Sequence, residues 1–220
     1  MSNRETRATG EFRVEKRADG EGRKIVGYAA VFNQEVDIAG FFREMIKPGA
    51  FADAITRDDV HALSNHDYDH VLGRLKAGTL KMSEDSHGLK VEIDPPDTQD
   101  ARDLITSMER GDIDQMSFGF SMMGGIQEWD DTGDLPLRTI VKVGELFDVS
   151  VVPRGAYPTT EVGLRSLEAE REKKRAETED AEKERKRRNF DAATFRRLKK
   201  LRHELGELER SIAAKIRKLG

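Results

Sequence analysis

No cysteine occurs in the 220 residues, so disulfides, thiolate nucleophiles and thiolate metal sites are excluded from the start. No apolar run approaches the roughly 18 residues that a membrane-spanning helix needs, and no membrane contact is expected. The opening MSNRETRATGEFRVEKR is polar where a secretory signal would carry an apolar core, which makes an intracellular protein the expectation. The chain also lacks the HExxH pattern of zinc peptidases and the GxSxG elbow of α/β-hydrolases.

Charge, by contrast, is plentiful, because charged residues make up 36% of the chain and match the hydrophobic share. It is unevenly placed. Residues 166–220 hold 18 Lys or Arg against 12 Asp or Glu, a net +6, whereas residues 1–165 hold 20 against 30, a net −10. A chain divided in this way can attract itself, its copies or an oppositely charged partner, and salt weakens that attraction.

Residues 1–10 read as a flexible terminus. Alternation at Phe12 and Val14, then the apolar run 25–32, predicts two strands around a turn at 18–22. Further strands are expected at Met45-Ile46, 60–64, 71–75, 79–82 and 89–93, with a short helix near 50–55. Residues 97–110 predict an amphipathic helix capped by Asp97, with Ala101, Leu104, Ile105 and Met108 on one face. Residues 127–138 read as a polar excursion and 139–152 as strand.

Beyond Leu167 there is little to bury, and residues 166–189 form either a charged linker or a solvated helix. Over 190–220, Leu198, Leu201, Leu205, Leu208, Ile212 and Leu219 are spaced 3, 4, 3, 4 and 7 apart, a coiled-coil-like seam that fits a partner, a second copy or the chain's own domain. Basic residues line it, but glutamates intervene and no structured nucleic-acid module accompanies it, so no specific nucleic acid binding is expected.

Three of the five histidines, His61, His66 and His70, lie within ten residues beside Asp67 and Asp69, but their spacing matches no zinc signature. No metal or cofactor is expected. His66 stands between Asn65 and Asp67, where an abrupt turn after a short strand could aim its ring at a neighbouring strand. In DQMSFGFSM, Ser117, Gly119 and Ser121 share one strand face while Met116, Phe118 and Phe120 share the other. A hydroxyl is a poor nucleophile without a base to take its proton, so Ser117 is a candidate only if an imidazole reaches it. Gly119 leaves room for close backbone approach, which an oxyanion hole or a bound peptide would both use. In GELFDVSVVP, Asp148 falls on a strand face that would bury it and oblige it to find a donor, while Glu145 lies at the strand's start.

Taken together, GYAAVFN, EMIKPGAF, SNHDYDHVLGRL, GDIDQMSFGF and GELFDVSVVPRGAYPTT resemble the prohead (capsid maturation) proteases of tailed phages, over about residues 25–160. The resemblance implies an α+β fold, a mostly β barrel with surrounding helices as in the herpesvirus assembly proteases, here with a C-terminal charged helical extension. Residues 11–165 would be the protease domain. It implies a serine endopeptidase acting inside the immature capsid in the host cytoplasm, with the major capsid protein, scaffold and the enzyme itself as substrates. The family's serine falls on Ser117, its histidine on His66 and its acid on Asp148, which stands where a Glu is usual, with Glu145 as the fallback. Arg154-Gly155-Ala156 replaces a commoner Pro-Ala, and Arg154 is a candidate oxyanion contact. The rival expectation from the seam and charge split is a non-catalytic assembly or scaffolding protein.

Overall fold

The computed structural model describes residues 4–17, 22–153 and 160–217, in two compact units that divide after Leu167. The predicted turn at 18–22 falls largely on residues outside that set, as do Arg154, Gly155 and Ala156.

Unit 1 is built around eight strands: β1 (Glu5–Lys16), β2 (Arg23–Val31), β5 (His61–Ser64), β6 (Asp67–Arg74), β7 (Leu80–Glu84), β8 (Gly88–Ile93), β9 (Gln115–Ser121) and β12 (Glu145–Val152). They lie in the order β6-β5-β12-β9-β1-β2-β8-β7. The two ends of this sheet, β6 and β7, are consecutive in sequence, so the connection over residues 75–79 can span them only if the sheet curls round on itself. The edges meet there: Arg74 N–H donates to Thr79 Oγ1 at 2.9 Å, and a Cβ on Gly73 would lie 2.8 Å from the Thr79 carbonyl oxygen. The result is a nearly closed, mixed β-barrel in an α+β unit. Most pairs are antiparallel, but β12 runs parallel to β5. Its interior is mainly apolar, with Ile25, Ala62, Leu89, Val91, Met116, Phe118, Phe120, Val149 and Val151 buried.

Strand β1 bridges the two halves, pairing β9 through residues 5–11 and β2 through 12–16, with a register shift between Ala8 and Gly10. Residues 5–10 are therefore ordered strand, which corrects the reading of 1–10 as flexible. Its polar composition misled because the inward side chains, Glu5 and Arg7, are buried charges that find partners. Arg7 donates to Glu44 Oε1 and Oε2 at 2.6 and 2.9 Å and to Glu5 Oε2 at 2.7 Å. Arg138 donates to Glu5 Oε2 and Oε1 at 2.6 and 2.9 Å, and to Glu44 Oε2 at 2.9 Å. Burial opposes ionisation of Glu5, but the hydrogen bonds and charges of Arg138 and Arg7 prevail and hold its carboxyl below the ordinary value.

Glu44 and Arg138 belong to a second sheet, β10 (Ile126–Asp130), β11 (Leu137–Lys142), β4 (Phe42–Ile46) and β3 (Val36–Ile38), in that order. The 127–138 excursion thus contains strand β10. Its inward residues are Gln127 and Trp129 rather than aliphatics, so no hydrophobic alternation announces it. Trp129 packs edge-on against Phe42, ring centroids 5.2 Å apart. The apolar stretch 139–152 is two strands, broken at Val143-Gly144, whose N–H groups donate to Ala50 and Ser121 carbonyls.

Two short helices flank the sheets, α1 (Ala52–Arg57) and α2 (Gln99–Glu109). Helix α2 buries Ala101 and Met108. Its cap is Thr98, whose Oγ1 accepts from Ala101 N–H at 3.3 Å, and not Asp97, which lies one residue too early and pairs with Arg102 instead. Helix α3 (Thr160–Arg217) begins inside unit 1, where Ser166 bonds Gln127 and Leu167 is buried.

Unit 2 consists of residues 168–220, helical as far as Arg217. Charge supports this helix along its exposed surface, with ion pairs at helical spacing such as Glu182–Lys186 at 2.9 Å and Lys200–Glu204 at 3.7 Å. Leu198, Leu201, Leu205 and Leu208 are 49–62% exposed, so the described part of the seam is open. The side chains of Ile212 and Leu219 lie outside the described set.

Candidate active site

Strands β5 and β6 are joined by two residues only, Asn65 and His66, because Ser64 already pairs with Asp67. A two-residue hairpin favours positive φ at both positions, and Asn65 and His66 have φ of 51° and 60°. Asn tolerates this region and Gly would fit the second position best, so a histidine there costs about 1–2 kcal/mol relative to a relaxed backbone. Ala39 also has a positive φ, so the backbone alone does not single His66 out; what its ring reaches does. The turn is pinned to β12 by Asn65 N–H, which donates to the Val151 carbonyl at 3.0 Å, and by His66 N–H to Ser150 Oγ at 3.3 Å.

Held this way, the His66 ring reaches two other strands. Nε2 lies 2.8 Å from Ser117 Oγ on β9, across 51 residues of sequence, and Nδ1 lies 2.6 Å from Asp148 Oδ1 on β12. Ser117 and Asp148 are buried, while the imidazole keeps 19% of its surface exposed. Asp148 Oδ1 also accepts from Ser150 Oγ at 2.7 Å, and Oδ2 accepts from Arg4, the residue just before β1. Burial pushes the Asp148 carboxyl up. The His66 hydrogen bond and charge, the Ser150 hydrogen bond and the Arg4 charge outweigh burial and hold it below its ordinary value. An ionised Asp148 accepts Nδ1–H and leaves the Nε2 lone pair to face the Ser117 hydroxyl. That tautomer is the one able to take a proton from Ser117 as its oxygen attacks an electrophile.

Gly119 makes this arrangement spatially feasible. It sits opposite Asp148 on one side and Thr6 on the other. A Cβ there would fall 2.2 Å from Asp148 Oδ2 and 2.9 Å from Arg4 Nε. The missing side chain is the window through which the carboxylate from β12 and the guanidinium from β1 meet over the strand that carries Ser117. The room that Gly119 leaves on this face is taken by the ion pair.

The remaining candidates lie elsewhere. Glu145 is exposed at the start of β12 and pairs in register with Ser121, so the carboxylate bonded to His66 is that of Asp148. Ser121 Oγ accepts from Met123 N–H at 3.1 Å and serves a turn. His61 meets the Tyr68 ring edge-on, and His70 is half exposed, 3.9 Å from Asp67 and 3.7 Å from Asp100. The three clustered histidines therefore point to different partners, and among the described residues no group of three ligand-type side chains is placed to hold a metal ion. Arg154 lies outside the described residues. Sequence reading missed Ser150 and Arg4. The first was legible as the next residue on the Asp148 face; the second gave no signal.

Comparison with known families decides the relationship: the model of the caudovirus prohead serine proteases matches residues 11–175. The chain belongs to that family. It is a serine endopeptidase of the prohead maturation type. No curated protein and no solved structure matches the chain significantly. No described helix is long and apolar enough to cross a membrane.

Proposed function

We propose that this prohead protease works through Ser117 as nucleophile, His66 as general base and acid, and Asp148 as the carboxylate that orients the imidazole. The observation that carries the reading is the unbroken hydrogen-bonded chain Ser117 Oγ–His66 Nε2, His66 Nδ1–Asp148 Oδ1. His66 removes the hydroxyl proton as Ser117 attacks a peptide carbonyl, and the tetrahedral adduct collapses when His66 returns that proton to the leaving amine. Water then enters and gives a proton to His66 as it attacks the acyl carbonyl, and His66 returns that proton to Ser117 Oγ as the acyl–oxygen bond breaks and the new carboxyl terminus leaves. Asp148 holds the productive tautomer and stabilises the imidazolium in each half-reaction.

The substrates in this proposal are the scaffold, or the scaffolding segment of the major capsid protein, and the enzyme itself, cut inside the immature capsid in the host cytoplasm. The barrel is then a counterpart of the herpesvirus assembly proteases. Residues 11–165 supply catalysis, 166–189 form a solvated helix, and 190–220 dock on scaffold or capsid protein. The exposed leucine seam and basic excess of the terminal helix favour this last role, because opposite charge speeds encounter and apolar burial holds the complex.

Incubating wild-type and S117A protein with the cognate capsid precursor and identifying new termini by mass spectrometry tests the proposal. Cleavage by wild type alone is expected, and persistent cleavage by folded S117A overturns it. Deletion of residues 168–220 should depress incorporation into proheads more than hydrolysis of a free peptide, and equal losses exclude the docking role.

A further inference from the structure

We propose that Arg4 is a positioning residue of the Ser117–His66–Asp148 relay, fixing the carboxylate from across β9. The inference rests on the catalytic reading above. Asp148 has two oxygens with separate duties: Oδ1 serves His66 and Ser150, and Oδ2 serves Arg4. Rotation of the carboxylate about its Cβ–Cγ bond would break both sets together, so the Arg4 contact locks the oxygen that holds the imidazole. Asp148 is fully buried, whereas the Arg4 side chain is 27% exposed and approaches from the rim.

The guanidinium is itself held. It lies 5.5 Å from the Tyr68 ring centroid and 5.9 Å from that of Phe147, and the Gly119 window gives its Nε passage. Strand β1 delivers it, because Thr6 and Ala8 are in register with Gly119 and Ser117. An ion pair, flanking rings and a glycine that accommodates both partners converge on one carboxylate.

The electrostatic consequence has a definite sign. A carboxylate that faces a guanidinium as well as an imidazole stabilises the imidazolium less than one that faces the imidazole alone. The groups around the pair are Ser117 from β9, Ser150 from β12 and Tyr68 from β6. His61 from β5 stands beyond Tyr68, and Glu145 at the start of β12 acts on Tyr68 through its charge. Among the described residues, Arg4 is the permanent cation bonded to Asp148. Removing its charge favours the protonated imidazole, so the acid limb of kcat/KM against pH moves to higher pH.

Hydrolysis of a peptide spanning a mapped capsid-precursor cleavage site is measured from pH 5 to 9 for wild type, R4M, R4K and S117A. Rates of wild type and the Arg4 variants are normalised to sites reactive with a fluorophosphonate, and that of S117A to the concentration of folded protein. R4M is expected to lose about tenfold or more in kcat with KM little changed, and its acid limb to move to higher pH. R4K keeps the charge without the planar fork, so its limb stays at the wild-type position and its rate is partly restored. A limb in R4M that coincides with wild type, or no recovery in R4K, overturns the inference while leaving the relay standing, provided S117A is inactive. Activity in folded S117A overturns the relay and the role of Arg4 with it. If R4M does not fold, R4Q takes its place with the same expected shift.

Discussion

Substituting Gly119 by alanine adds one methyl group and tests how tightly the site is assembled. The new Cβ would lie 2.2 Å from Asp148 Oδ2, where ordinary contact begins near 3.4 Å, so the carboxylate must retreat by about an ångström. It has little freedom to do so, because Oδ1 is fastened to His66 and Ser150 and Oδ2 to Arg4. A displacement of about 1 Å in a positioning group costs on the order of 10²-fold, and complete loss of the orienting acid costs on the order of 10⁴-fold. Gly119→Ala is therefore expected to lower kcat/KM by about 10²- to 10⁴-fold, which is about 3–5 kcal/mol of transition-state stabilisation. Overpacking should cost a further 1–3 kcal/mol or so in stability, leaving a folded protein. Peptide hydrolysis supplies the first number and urea denaturation the second. A folded G119A enzyme within threefold of wild type would refute the argument that this glycine exists to let carboxylate and guanidinium meet.

The hairpin at Asn65-His66 offers a cleaner stability comparison. His66→Gly and His66→Ala both delete the imidazole and its bonds, but only alanine keeps the steric conflict at positive φ, so H66G should unfold at higher urea, by about 1 kcal/mol in stability, with both inactive. Equal midpoints would mean that the turn is unstrained. Glu5→Gln leaves Arg7 and Arg138 sharing Glu44 alone in the interior and should cost about 3–5 kcal/mol; a loss below about 1 kcal/mol would show that the buried quartet contributes little. The acid limb of stability follows from the same groups. Glu5 and Asp148 are held below their ordinary values of 4.5 and 3.8, so their contribution is complete above those values and is lost as pH falls through the lower ones. The urea midpoint should be level from about pH 7 to 5 and fall below about pH 4.5; stability that rose on acidification there would contradict the sign.

The sequence carried the barrel strands whose inward residues are aliphatic. Strand β8 alternates Leu89, Val91 and Ile93, and β9 alternates its aromatics against Ser117 and Gly119, so both stand out by period alone. It concealed β10 and the first half of β1, whose inward positions are Gln127, Trp129, Glu5 and Arg7, residues that hydropathy reads as exposed. For the site, Ser117, His66 and Asp148 were marked by resemblance to a family. From pattern alone each was one polar residue among several, because the property that distinguishes them is proximity across three strands. Arg4 was invisible for the same reason in a stronger form. Its partner is 144 residues away, and no periodicity in the strand that follows it points to a carboxylate.

Strand β12 lies between β5 and β9, parallel to the one and antiparallel to the other, yet it is the last of the eight barrel strands to leave the ribosome. Until residues 145–152 have been synthesised, the hairpin bearing His66 has no neighbour through which to reach the strand bearing Ser117, and the relay proposed above has no means of forming. The order in which the strands are encoded thus leaves this site unassembled for most of the chain's own synthesis.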